Sequence, residues 1–264
     1  MPSIGSTIAR PLLIALLAVL PVASLVGCSK VTLPPTAPDP GPSGGGGGAT
    51  VSTTFKGTAA GAGNNQSAAD GVLTVTIVTP TPNPGSPSAP MGAQAAVAAS
   101  GTMIVDGGTV DLTGTYDDQT NALTLSGGGY SFSGGQSGGT LAGNFSGPGA
   151  TGRFALYEST TTNPVSVLCG RYSRIRRGVS TEVGTLNFVI SGTNVTAIAV
   201  NWSGQDSRTL NGTLSNGTVI TIQNPQDPSG PPLITGTFDS GSGTATGLYW
   251  DRESQASTWR AGPC

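Results

Sequence analysis

The sequence predicts an all-β protein: an antiparallel meander forming one large or two small barrels or sandwiches, with internal duplication. Three observations predict it. The composition holds 42 Gly and 20 Pro with only 9% charged and 5% aromatic residues. Glycine supplies turns and β-branched Thr and Val favour strands, whereas Gly, Thr, Ser and Asn rank low in helix propensity. Short apolar stretches recur at roughly 10-residue spacing, the pattern of many short strands. Finally, a series of motifs in one half reappears in the same order in the other.

The first element is a leader, residues 1–27. Arg10 is its one basic side chain, and residues 11–27 (PLLIALLAVLPVASLVG) carry no charge. A positive start, an apolar middle and small residues at the end have the form of a secretory signal. The apolar run is short for a bilayer span, which needs about 20 residues. The segment ends Leu25-Val26-Gly27-Cys28. This resembles the lipobox of bacterial lipoproteins. The resemblance implies diacylglyceryl transfer to the Cys28 thiol, cleavage before Cys28 and palmitate-type acylation, enough for stable anchoring. Ser29 and Lys30 follow it, and the lack of Asp after the cysteine resembles the pattern sent to an outer membrane where one exists.

Residues 28–50 continue as SKVTLPPTAPDPGPSGGGGGAT after the cysteine. Proline makes the first part extended and semi-stiff, and the glycine run is flexible, so the segment reads as a tether. A similar stretch at residues 80–90 reads as a long loop between strands.

Residues 51–160 and 165–264 are the two β halves. Residues 71–77 (GVLTVTI) parallel 184–190 (GTLNFVI). Residues 112–116 (LTGTY) and 123–125 (LTL) parallel 210–214 (LNGTL) and 219–222 (VITI). Residues 139–159 (GTLAGNFSGPGATGRFALYES) parallel 233–254 (LITGTFDSGSGTATGLYWDRES). Each half reads as six or seven strands. Leu73, Val75 and Ile77 share one strand face, and Thr74 and Thr76 the other. Asp106-Gly107, Asn211-Gly212 and Asn216-Gly217 are hairpin-type pairs, the second alternatively lying within a strand. A membrane-spanning barrel would need two aromatic girdles, which three Trp, five Tyr and six Phe do not supply.

Cys169 and Cys264 remain after Cys28. Export places them in an oxidising compartment, so they are expected to pair rather than remain free or bridge two chains. The bridge would close a loop of about 95 residues, worth about 4–5 kcal/mol in the loop-entropy picture. Gly170-Arg171-Tyr172, opening the second half, is similar to the Gly-x-Trp of the first strand in lipocalin-like and avidin-like barrels, with Tyr172 at the Trp position. That resemblance implies a cavity for a small apolar ligand.

Chemistry is sparse. The chain has no histidine, so the commonest general base and transition-metal ligand are missing. Lys30 and Lys56 are the only lysines to activate a serine or threonine, and no motif surrounds them. Asp251 and Glu253, near Trp250 and Trp259, are carboxylates of the kind used on sugars. Glu253 has a counterpart in Glu158, as a structural residue would. Asp117-Asp118-Gln119-Thr120-Asn121 could offer oxygens to Ca²⁺ but is also what a hairpin turn needs. Arg171, Arg174, Arg176 and Arg177 form the least bland cluster: a patch for phosphate-bearing lipid or acidic polysaccharide, or a solvated edge that resists strand pairing. A net charge of −2 gives no pull toward nucleic acid. No cofactor and no metal are expected. The expectation is a membrane-anchored envelope lipoprotein that binds or displays, with an envelope glycan, lipid or protein as partner. The alternatives are a structural component without ligand and a carbohydrate hydrolase.

Overall fold

A computed structural model describes residues 49–63, 68–81, 96–203, 206–250 and 256–264. The leader, Cys28 and the tether lie outside these residues, as does most of the segment 80–90. Among the described residues all regular structure is antiparallel strand, sixteen in number. Strands β1 (Thr50–Gly63), β2 (Ala68–Pro80), β3 (Val97–Val105), β4 (Gly108–Asp117), β5 (Ala122–Gly127), β6 (Tyr130–Ser137), β7 (Thr140–Gly147) and β8 (Ala150–Glu158) follow one another around a closed barrel. Strands β9 (Val165–Arg176), β10 (Val179–Ser191), β11 (Asn194–Asn201), β12 (Asp206–Ser215), β13 (Val219–Ile222), β14 (Ile234–Asp239), β15 (Thr244–Trp250) and β16 (Ala256–Pro263) repeat the plan. The duplication is therefore architectural, and it yields two barrels rather than one.

Period-2 alternation builds each core. In β3, Val97, Ala99, Met103 and Val105 point inward, while Ala98, Ser100 and Thr102 face water. An eight-stranded barrel is just wide enough for side chains to fill. Inside the first, Phe132 stacks on Phe145 and meets Phe154 edge-on. Phe188 and Trp259, 4.7 Å apart, sit inside the second. Inward glycines make room for these rings: a Cβ on Gly143 would lie 2.8 Å from the Phe154 ring, and one on Gly236 would collide with Trp259. Each large side chain removed from water in this way contributes about 1.5–3 kcal/mol. With apolar side chains inside and Thr and Ser outside, the faces are the reverse of those of a lipid-facing barrel.

Four strands break the alternation because both of their faces are covered. Residues 57–63 of β1, 184–191 of β10 and 195–200 of β11 are buried continuously, and β8 buries Ala155 outward. Their outward side chains meet: Ala60, Ala62 and Ala155 of the first barrel pack on Ile198 and Val200 of the second. Small alanines let the walls approach closely. Beside them, Val72 and Tyr157 pack on Val165, Val167 and Val189. Polar groups in this junction are matched. The Asn187 amide donates to Thr58 Oγ1 at 3.0 Å, and Thr58 donates to the Gly71 carbonyl at 2.8 Å. Asn187 Oδ1 accepts the Gly170 N–H at 3.1 Å, within a stretch where β9 and β10 have no direct pairs between Thr185–Arg171 and Phe188–Leu168. Both barrels belong to one unit, Gly47–Cys264.

Two expectations are corrected. Each half has eight strands, not six or seven. The run of Gly, Ala and Thr in β1 carries no visible alternation because its outer face is a junction. The last repeated block is also offset by one hairpin. Residues 139–159 cover β7 and β8, whereas residues 233–254 include β14 and β15, which stand sixth and seventh in their barrel. An inward Phe, a tight turn and an inward small residue serve any hairpin of either barrel (Phe145 and Phe238 alike point inward), so the similarity reports hairpin chemistry rather than position. The three upstream blocks do fall on equivalent strands.

Candidate functional site

The four arginines do not form one patch. Successive side chains of a strand face opposite ways, and β9 distributes them accordingly. Arg171 points outward into the barrel junction, where its guanidinium holds Asp70 through two contacts of 2.9 and 3.3 Å and lies 5.8 Å from the Trp202 ring. Arg174 stands on the opposite face, across from Ser257. Arg176 ends β9, its side chain outside the description. Arg177 forms the β9–β10 turn with Gly178, both at positive φ (52° and 78°), as a two-residue hairpin turn requires. It is exposed.

The β9–β10 hairpin outruns its neighbours. β16 pairs with β9 no further than Arg174, and β11 pairs with β10 no further than Gly184. A register shift between Glu182 and Gly184 marks a bulge at this point. Among the described residues, 175–182 therefore pair only with each other, as a ribbon beyond the barrel wall. Ile175 and Val179 on it are 57% and 65% exposed, and Trp250, at the same end of the barrel, is 42% exposed.

Two grooves lie on the outer surface. One, of about 570 Å³, runs beside the disulfide and is bounded by Asp70, Cys169, Arg171, Thr246 and Arg260. Arg171 is anchored there, while the Arg260 side chain is 80% exposed and meets Glu182 at 3.3 Å. The other, of about 320 Å³, lies between the barrels and is lined by hydroxyls and amides, among them Tyr157, Thr196 and Asn211. These are already chained: Tyr157 Oη and Thr196 Oγ1 are 2.8 Å apart, and Thr196 donates to Asn211 Oδ1 at 2.9 Å.

Cys169 and Cys264 are bonded, with Cα atoms 4.9 Å apart. The bridge joins the first strand of the second barrel to the residue following its last, so it staples the barrel's seam. The segment 117–121 is a hairpin turn. Asp117 Oδ1 accepts the N–H groups of Gln119 and Thr120 at 2.9 and 3.3 Å, and Asn121 has a φ of 56°. A hydrogen bond from the Thr120 hydroxyl and then those backbone donors hold the Asp117 carboxyl below its usual pKa. Burial, with Asp118 and Asp117 nearby, raises the Tyr116 hydroxyl. Among the described residues no group of three or more Cys, Asp or Glu side chains is placed to hold a metal. Asp251, Glu253 and Cys28 lie outside the description.

Sequence reasoning missed Asp70 and Asn187, whose partners Arg171 and Thr58 are 101 and 129 residues away, and Trp202, which lies beside Arg171. It also missed Ile175 and Val179, although a short aliphatic-arginine run around Arg177-Gly178 was readable as a hairpin tip. No known protein family matches the chain, and none of the curated proteins is similar to it.

Proposed function

We propose that this chain is a lipid-anchored protein of a bacterial cell envelope whose paired barrels form a non-catalytic binding or display module. The observation that carries this reading is Leu25-Val26-Gly27-Cys28 at the end of an uncharged apolar run, followed by a Pro/Gly-rich tether. Acylation of Cys28 would place the body at a membrane, an outer membrane where the cell has one. Filled barrel interiors leave recognition to the outer surface, so the apolar cavity implied by the lipocalin-like resemblance is not part of the proposal. The filled interiors equally favour a structural envelope component that takes no ligand.

The test is the electrospray mass of the native protein taken from membranes, before and after reduction. The expected mass is that of residues 28–264 plus acyl chains, lighter by two hydrogens before reduction. An unacylated mass beginning at another residue overturns the reading.

A further inference from the structure

The two barrels share one plan, so a place where they differ marks a property of one of them. They differ in the sequence of the first hairpin. In the first barrel β1 remains paired with β8 as far as Gly63, and β2 is paired with β3 from Gly71. The sequence across that turn, residues 63–69 (GNNQSAA), has neither a charge nor a large apolar residue. In the second barrel the equivalent hairpin continues as the free ribbon, with the sequence IRRGVSTE over residues 175–182. At about 3.3 Å per residue its arms reach roughly 10 Å beyond the wall.

Among the described residues seven large apolar side chains are exposed, and four of them (Ile175, Val179, Leu248 and Trp250) gather at this end of the second barrel. Among the described residues the acids at this end are engaged: Glu182 by Arg260 at 3.3 Å, and Asp206 by Arg208 at 2.7 Å. Arg177 makes no ion pair among the described residues. Aliphatic side chains at 57–65% exposure add nothing to recognition of a sugar polymer. Aliphatic tips, a tryptophan and an exposed arginine, Arg177, together suit the boundary between headgroups and acyl chains, which buries apolar groups about 5–10 Å deep and draws cations to anionic lipid.

We propose that the free end of the β9–β10 ribbon, with Trp250 beside it, docks the body onto an anionic lipid bilayer. Ile175 and Val179 enter the interface, and Arg177 at the turn supplies charge that meets the lipid phosphates. The ribbon lies at the end of the body opposite Thr50: along β1, Thr58 meets Asn187, and Ala60 and Ala62 then belong to the cluster on which Trp202 packs, whose backbone N–H donates to the Val183 carbonyl at the ribbon's base. The lipid contact is thus a second one, distant from the point where the chain enters the first barrel. It rests on the reading of the body as a display module, but it does not require the acyl chains.

The test uses the full chain carrying Cys28→Ala, which cannot be acylated, and vesicles containing a brominated phosphatidylcholine with or without phosphatidylglycerol. Quenching of tryptophan fluorescence is expected with the anionic vesicles and not with the neutral ones. Trp250→Phe should remove the quenching. Ile175→Asp with Val179→Asp should abolish it, and because both positions lie on the free ribbon the near-ultraviolet circular dichroism should be unchanged. Arg177→Ser should weaken binding about fivefold. No quenching, quenching independent of headgroup charge, or quenching that survives the paired Asp substitutions overturns the proposal. So does a ribbon-dependent association with a second copy of the chain or a soluble acidic polysaccharide in place of vesicles. Acylation is read separately by mass, so the two readings fail separately.

Discussion

Asn187 is a fully buried amide between two barrel walls, and its hydrogen bonds to Gly170 and Thr58 decide its worth. Replacing it with alanine leaves the Gly170 N–H without an acceptor and takes from Thr58 one of its two partners. An unsatisfied buried group costs about 1–3 kcal/mol, so Asn187→Ala should lower stability by about 2–4 kcal/mol in urea unfolding. Asp117 acts oppositely, at the surface. Its carboxyl is held below the usual value by the Thr120 hydroxyl and the turn's N–H groups. A depressed carboxyl contributes stability that is present above the unfolded pKa and is lost as the pH falls through the folded one. Thr120→Val should therefore raise the Asp117 pKa toward 3.8, read by carboxyl-carbon NMR titration. At this scale the inward residues were legible: Leu73, Val75 and Ile77 are buried as their alternation with threonine indicates. Asn187 was not, because a lone Asn between Leu186 and Phe188 reads as a water-facing position.

At the scale of the element, the hairpin turns explain both what the sequence disclosed and what it hid. Asp106-Gly107 is a two-residue turn with both φ angles positive, and Asn216-Gly217 shows the same signs. Asn211-Gly212 lies within β12, paired with Thr196 and Val195. The local residues were the same, and only strand pairing separated the cases. Strands with one covered face showed alternation, whereas the doubly covered β1 and β10 did not. The seam disulfide was legible from compartment and number alone. It joins strands that the hydrogen-bond ladder already holds together, so its loss should leave the barrel topology in place. Cys264→Ser should lower the stability of the second barrel by about 2–5 kcal/mol, visible as a shift in urea midpoint that reducing agent reproduces in the parent chain and not in the variant.

For the whole molecule the decisive surface is the junction. The sequence disclosed two halves but not whether they share a core, because Ala60, Ala62, Thr58 and Thr185 are residues that also suit water. Burial of these residues makes the barrels one cooperative body, so a single calorimetric transition is expected. Ala60→Glu, which places a carboxylate against Ile198 and Val200, should uncouple the barrels and split the transition in two. The ribbon was half legible in the same way: its arginines stood out, but the alternation that sends Arg171 to the junction and leaves Arg177 at the tip became visible only with β9 paired on both sides.

The meander also sets a timetable. Strand β1 finds its second partner only when β8 has been made, since Phe55 pairs with Glu158. A chain emerging N-terminus first can close its first barrel at that moment, every strand pair but the closing β1–β8 one being adjacent in sequence. The closed barrel then carries a bare flank of Ala60, Ala62 and Ala155 until β10 and β11 arrive to cover it. Cys264, the partner that Cys169 awaits for 95 residues, comes last of all. Nascent chains halted between Glu158 and Val200 should be the sticky ones, and oxidation of the thiols marks the end of assembly rather than a step within it.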